Sequence, residues 1–457
     1  MRTLFAPMAL LPDGWQRNVE IQIDGHGNIA AVQAGAVKGR SEPTGGPVIP
    51  GMINAHSHAF QRAMAGRTER RGNGDDDFWS WREWMYRFLG RIEPNHCHAI
   101  ASQLYVELLK GGYTAVGEFH YIHHNPGGRP YVNLAEMAFA HLRAATDTGI
   151  AITIMPTLYG FGGVGGKPIG PAQARFATTP AQIGRMLESL HRHVVTEHDA
   201  RLGIAPHSLR AVTAPTLGEL IATVNTIDNT APIHIHIAEQ EREVASCIEV
   251  LGARPIEWLA DHFSLSARWT LVHGTHATPA ELQTVARTCA LIALCPTTEA
   301  NLGDGIFPLE TLQNAGGRWC IGSDSHITRS APAELQLLEY GQRLSTRRRN
   351  VAADDDTPSV GESMWRRSTE TGALAIGRRS GAIAPGLRAD LVVLDAEVAE
   401  LVGVSLPELL DAFVFSGGER LIKHVAVSGR WVIRDRQHRD EQMIATRFRK
   451  AMRNLLA

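Results

Sequence analysis

Residues 47–58 read PVIPGMINAHSH. The run is largely apolar and ends on two histidines, His56 and His58, spaced two apart. In an extended chain, residues two apart point to the same face. Both imidazoles therefore leave the strand on one side, at its C-terminal end. Paired neutral imidazoles suit a borderline divalent metal such as Zn²⁺. The pair alone is a weak signal, because two hydrogen-bonded histidines at a strand end read the same way.

Seven further runs repeat the pattern begun by Val48–His58. They are Thr114–Phe119, Ala151–Leu158, Leu202–His207, Pro232–Ala238, Trp269–His273, Leu291–Pro296 and Trp319–Asp324. Segments of helical period, such as His98–Lys110 and Pro180–His193, lie between them. Apolar strands alternating with helices indicate a parallel sheet covered on both faces. Eight such units predict an α/β fold, a closed (β/α)₈ barrel, ahead of an open doubly wound sheet. In a barrel the strand C-termini converge on one face, where active sites are built. His207, His273 and Asp324 end their runs there, and His236 lies two residues before the end of the fifth. Glu239 follows the fifth run directly, and His234 precedes His236 on the same strand. Unrelated structural histidines would not all fall at the same relative position.

The chain ends read differently. Val19–Ile23 and Ile29–Val32 alternate like strands, as do Ala389–Asp395, Ile422–Val427 and Trp431–Ile433. These predict one small β-sandwich domain from residues 1–49 plus 376–457, with residues 50–375 forming the barrel. Between the first strand and its helix, Phe60–Arg91 reads as an ordered lid carrying FWSWREWMYRF, with a flexible centre at Asn73–Asp77. The glycine-rich stretch GFGGVGGKPIG, residues 160–170, lacks the ending of a phosphate loop and reads as a mobile loop at the barrel mouth.

The 457 residues carry a net charge of -2, so no global basic field draws nucleic acid or an anionic membrane. No apolar run reaches the length of a membrane span, and the first residues do not read as a signal peptide. Five scattered cysteines without a CxxC pair argue against a disulfide framework and point to a reduced, cytoplasmic setting.

The succession PGMINAHSH, HIHIAEQ, LVHGTH and GSDSH resembles the amidohydrolase superfamily, in its cytosine/guanine-type deaminase branch, over essentially the whole chain. The resemblance implies that His56, His58, His236 and Asp324 bind the metal, His236 being preferred to His234 for its spacing from Glu239. Zn²⁺ is expected, one per subunit, with Fe²⁺ and Mn²⁺ compatible with the same donors. Residues ITIMPTL and GIAPHS hold no lysine to bridge a second metal. The chemistry then implied is attack by a metal-activated water. Asp324 takes its proton, His273 steadies the developing charge and Glu239 protonates the departing nitrogen.

Arginines grip carboxylates in a two-pronged fashion. Arg82 lies in the lid and Arg210 just beyond His207, which suggests a substrate with two carboxylates. The other reading for Arg82 is a surface arginine stacked on Trp79 or Trp84. HSHAFQRAMAGRTE, the lid, GEFHY, APHSLRAV and HIHIAEQ are together similar to the N-formimino-L-glutamate deiminases of histidine degradation. That likeness implies that Gln61, Arg82, Tyr121 and Arg210 hold the glutamate portion and that His207 orients the formimino group. It also implies a homodimer. A purine- or pyrimidine-type deaminase would use the same metal set with fewer arginines, and a non-catalytic scaffold would show gaps in the ligand set.

Overall fold

A computed structural model describes residues 1–71 and 77–457. The stretch read as a flexible lid centre therefore lies outside the described residues, save Asp77. The barrel is closed. Its strands are Met52–Ser57, Tyr113–His120, Ala151–Leu158, a fourth in two pieces (Ala200–Leu202 and Ala205–Pro206), Ile233–Ile237, Trp269–His273, Leu291–Leu294 and Arg318–Ile321. Neighbouring strands pair in parallel, and Ile204 bridges the fourth strand to Ile233. The ring shuts where Asp324 donates its N–H to the His56 carbonyl at 3.0 Å and His58 donates to the Asp324 carbonyl at 3.2 Å. Gly322 makes that seam possible. A Cβ there would stand 2.7 Å from the His56 Cβ and 2.9 Å from its backbone N and O.

The first run divides in two. Val48–Pro50 pairs antiparallel with Leu391–Val393 and parallel with Ala9, outside the barrel. At Gly51 the chain crosses over, and a Cβ there would meet Thr114 at 2.3–2.9 Å. Met52–Ser57 then enters the barrel. The two chain ends form one nine-stranded mixed sheet. Its edge strand Ile29–Gln33 is tied to the segment before Leu391, with the Ile29 N–H donating to the Leu387 carbonyl at 2.8 Å. Leu4, Val19, Ile21, Val48, Leu391 and Val393 fill a core of its own. We propose that residues 1–49 and 376–457 act as one unit, its strand Val48–Pro50 ending one residue into the barrel segment.

An ionic joint ties this sheet to the foot of the fourth barrel strand. Asp199 accepts from Arg378 at 3.2 Å, from Arg388 at 2.7 Å, and from Arg430 and the Ser428 hydroxyl. Arg378 also pairs with Asp390 at 2.7 Å. The helix Glu441–Leu456, which alternation did not reveal, packs Met452 and Leu455 beside Ile92 and Ile100. Its Glu441 takes an ion pair from Lys110 at 2.6 Å. No helix among the described residues is long and apolar enough to cross a membrane.

The lid segment forms a helix, Phe78–Leu89. Met85 and Leu89 bury into an apolar cluster with Phe60, Phe119, Tyr121 and Phe176 at the barrel mouth. The glycine-rich loop folds back on itself, Gly162 donating to the Lys167 carbonyl at 2.8 Å.

Candidate active site

At the strand C-termini the first, fifth, sixth and eighth strands bring their polar ends together. His56 Nε2 lies 3.1 Å from His236 Nε2, and His58 Nε2 lies 3.3 Å from it. Asp324 Oδ1 stands 3.6 Å from His56 Nε2 and 3.3 Å from His58 Nε2. The second nitrogens of His58 and His236 explain why their Nε2 atoms face inward, while His56 Nδ1 has no hydrogen-bond partner among the described residues. His58 Nδ1 donates to the Phe119 carbonyl at 2.9 Å, and His236 Nδ1 donates to the His207 carbonyl at 2.9 Å. A neutral ring protonated at Nδ1 has a bare lone pair at Nε2. Burial, with the neighbouring imidazoles and, at His58, against its bond to Phe119, keeps these rings neutral, and His58 falls to about 3.

Facing lone pairs repel unless a cation sits between them. Donor atoms about 2.1 Å from one Zn²⁺ at tetrahedral angles stand roughly 3.4 Å apart. The four spacings given above bracket that value, and the buried donors gather in two triplets that share His56, one with His58 and Asp324 and one with His236 and His273, so these residues could hold a divalent ion. His234 is elsewhere. Its Nε2 contacts the Ala375 carbonyl at 2.8 Å, deeper in the barrel.

His273 faces the same cluster, its Nε2 being 3.7 Å from Asp324 Oδ2 and 3.8 Å from Glu239 Oε1. Burial opposes a charge on this ring, but Glu239, Glu299 and Asp324 together raise it to about 10. Burial pushes Asp324 up to about 7 against the pull of His273. Glu239 is buried, and its Oε2 accepts from Arg210 Nη2 at 3.3 Å. Ala238, His273, Asp324 and His326 all adopt left-handed backbone, with φ of 50°, 69°, 43° and 63°. Each such residue is strained by roughly 1–3 kcal/mol, and such strain gathers at reactive sites.

A cavity of about 540 Å³, its mouth included, opens onto this cluster. Gln61, Arg82, Tyr121, His207, Arg210 and Glu239 line it together with His58, His236 and Asp324. Gln61 donates to the Tyr121 hydroxyl at 3.0 Å, and its Oε1 is buried without a partner among the described residues. Arg210 Nη1 is likewise buried and unpartnered among them. His207 bonds Ser208 Oγ through Nδ1 at 3.1 Å, with its ring edge-on to Tyr159 at 4.6 Å. Arg82 is both a lining residue and a stacked one, its guanidinium 4.5 Å from the Trp79 ring centre. Arg242 lies 4.6 Å from the same ring.

Several lining and supporting residues escaped the sequence reading. Glu118 holds Ser57, between the two strand-one histidines, by a 2.7 Å bond from the hydroxyl, and accepts from the Ala59 N–H at 2.8 Å. Burial, against these bonds, raises its carboxyl to about 8. Phe78, Trp81 and Phe176 supply apolar walls. Glu299 lies beside His273. Its position within PTTEANLGDG, just past the seventh strand, was the available signal.

The model of the amidohydrolase family matches residues 48–432. A second model, described as the N-terminal domain of formimidoylglutamate deiminase HutF, matches residues 1–44. The chain is 45% identical to a formimidoylglutamate deiminase of Pseudomonas aeruginosa, over 100% of both chains. It is similar to the crystal structure of an amidohydrolase from Brucella melitensis, with 42% identity, a TM-score of 0.95 and full coverage of both. An adenosine deaminase from Xanthomonas campestris with bound zinc shares the fold at 20% identity and a TM-score of 0.83, over 99% of this chain and 98% of that one.

Proposed function

Because this chain belongs to the amidohydrolase family, we propose that it hydrolyses N-formimino-L-glutamate to N-formyl-L-glutamate and ammonia, a step of histidine degradation. The observation that carries the reading is one cavity that holds two arginines beside the buried donor cluster. A dicarboxylate with an amidine-type carbon matches that pairing of charge and donors. Full-length similarity to the Pseudomonas deiminase supports it, as does the match of residues 1–44.

The proposed ligands are His56, His58, His236 and Asp324, for one Zn²⁺ per chain. Fe²⁺ and Mn²⁺ suit the same donors. When bound, the metal supplies Lewis acidity toward water and the formimino group. Asp324 takes the proton that water loses on attacking the formimino carbon. The His273 Nε2–H steadies negative charge on the incoming oxygen. Both water protons end on the nitrogen, one carried by Glu239 and one returned from Asp324, and it departs as ammonia as the C–N bond breaks and the C=O forms. One water enters and one ammonia leaves.

Arg210 keeps Nη2 on Glu239 and offers Nη1 to a carboxylate, while Arg82, Gln61 and Tyr121 receive the rest of the glutamate portion. His207 orients the formimino group. The further proposal is a cytoplasmic homodimer, which light scattering on the eluting peak from gel filtration tests.

The test of the reaction is ammonia release by the zinc-loaded protein, comparing N-formimino-L-glutamate with guanine at equal concentration. Release from the first alone is expected. Release from guanine alone would keep the family and discard the two-arginine pocket.

A further inference from the structure

Glu299 has no part in the steps above. It rises from the short helix Pro296–Leu302 after the seventh strand and is buried. Its Oε1 lies 3.2 Å from His273 Nδ1 and accepts the Cys295 N–H at 2.8 Å. A carboxylate oxygen accepts, so Nδ1 is the donor. With Nδ1 engaged, the atom turned toward Glu239 and Asp324 is Nε2. That atom has no hydrogen-bond partner among the described residues. His273 also sits at φ 69°, where an L-residue has no intrinsic preference to stay. The ring's direction is held by the bond at Nδ1, and Glu299 is the side chain bonded there.

We propose that Glu299 is a positioning residue for the deamination, fixing the His273 ring so that Nε2 faces the reacting centre. The proposal rests on the function given above only for the choice of substrate. A purely structural alternative exists, since the Cys295 contact would also serve as a helix cap. Substitutions separate the two. Gln keeps an oxygen that accepts from both Nδ1 and the Cys295 N–H. Asp keeps the carboxylate and shortens its reach. Leu removes both contacts.

The experiment measures kcat, KM, zinc content and Tm for Glu299→Leu, Glu299→Asp and Glu299→Gln. The loss of such a supporting contact is worth about 10–100-fold. Glu299→Leu and Glu299→Asp are expected to lower kcat by about that factor, with KM within about threefold and zinc retained. Glu299→Gln is expected to recover most of kcat. If Leu does not fold, the Asp and Gln arms decide. Wild-type kcat in Glu299→Asp overturns the proposal, and so does a loss of kcat in Glu299→Gln that tracks lost zinc and lowered Tm. If the wild type releases no ammonia from N-formimino-L-glutamate, the function reading has failed instead. The ring is then read directly by ¹⁵N-histidine NMR, with the His273 signals assigned by their loss in His273→Asn. An Nδ1 chemical shift that is unchanged in Glu299→Asp and Glu299→Leu, showing that no hydrogen bond at Nδ1 was lost, would overturn the positioning role on its own.

Discussion

Nε2 of His58 stands 3.3 Å from Nε2 of His236 while each ring donates its Nδ1–H to a backbone carbonyl. A cation placed between two such lone pairs would relieve their repulsion and add to the stability of the fold. Stripping the protein with a chelator should lower Tm, and restoring Zn²⁺ should raise it again. At a thousandfold excess over Kd the stabilisation is about 4 kcal/mol, enough for a shift of several degrees by differential scanning fluorimetry. Equal melting curves with and without metal would mean that the four donors do not act together.

The two arginines should fail in different ways. Arg82 is stacked on Trp79 at the cavity wall, so Arg82→Met should act mainly on KM. Arg210 is bonded to the buried Glu239, so Arg210→Met should lower kcat as well as raise KM. Losing a charge-assisted contact costs about 2–3 kcal/mol, or roughly 30–200-fold in kcat/KM. Zinc content should stay at the wild-type level in both. Unchanged kinetics in either variant would remove that arginine from the pocket.

Gly322→Ala should be severe for a substitution of one hydrogen by a methyl. Its Cβ would press on the His56 Cβ and backbone at 2.7–2.9 Å, at the seam of the barrel. Zinc affinity and Tm should fall together, by about 3 kcal/mol or more in stability. A variant that keeps full zinc occupancy and wild-type Tm would show that the seam yields without disturbing His56.

Asp199 predicts a pH signature away from the active site. Its partial burial raises the carboxyl, but Arg378, the Ser428 hydroxyl, Arg388 and Arg430 outweigh it and hold it well below the usual carboxylate range. A depressed folded pKa gives stability that is fully present above the unfolded value and is lost as pH falls through the folded one. Asp199→Asn should therefore cost about 3 kcal/mol at pH 7, with the same gap at pH 5. The gap should narrow only below about pH 4. Denaturant titrations of both proteins at these pH values check it. A gap that closes between pH 7 and pH 5 would refute the network's role.

The strand ends were legible because alternation and position are local. An HxH pair at the end of an apolar run announces its own face, and eight runs with polar ends imply a common mouth. What stayed hidden depended on contacts between distant segments. Gly51 looks like one more residue in a continuous run, yet it is where the chain leaves one sheet and enters the barrel. The fourth strand reads as a single run, but it pairs in two pieces around Gly203 and Ile204. The lid was legible as an aromatic insertion, while the partner that Trp79 finds in Arg242 was not. Glu299 reads as one more polar residue on a short helix, because only the folded barrel brings it behind His273.

The left-handed residues at the strand ends bear on how this protein can change under selection. Ala238, His273, Asp324 and His326 hold a backbone that glycine adopts at no steric cost. A screen for heat resistance alone should favour glycine at 238, where no side-chain chemistry is proposed and relief is worth roughly 1 kcal/mol. The same relief at 273 or 324 removes the imidazole or the carboxylate. Heat resistance and turnover thus compete at neighbouring positions, and lineages kept under both pressures should retain the strained residues and gain their stability elsewhere in the chain.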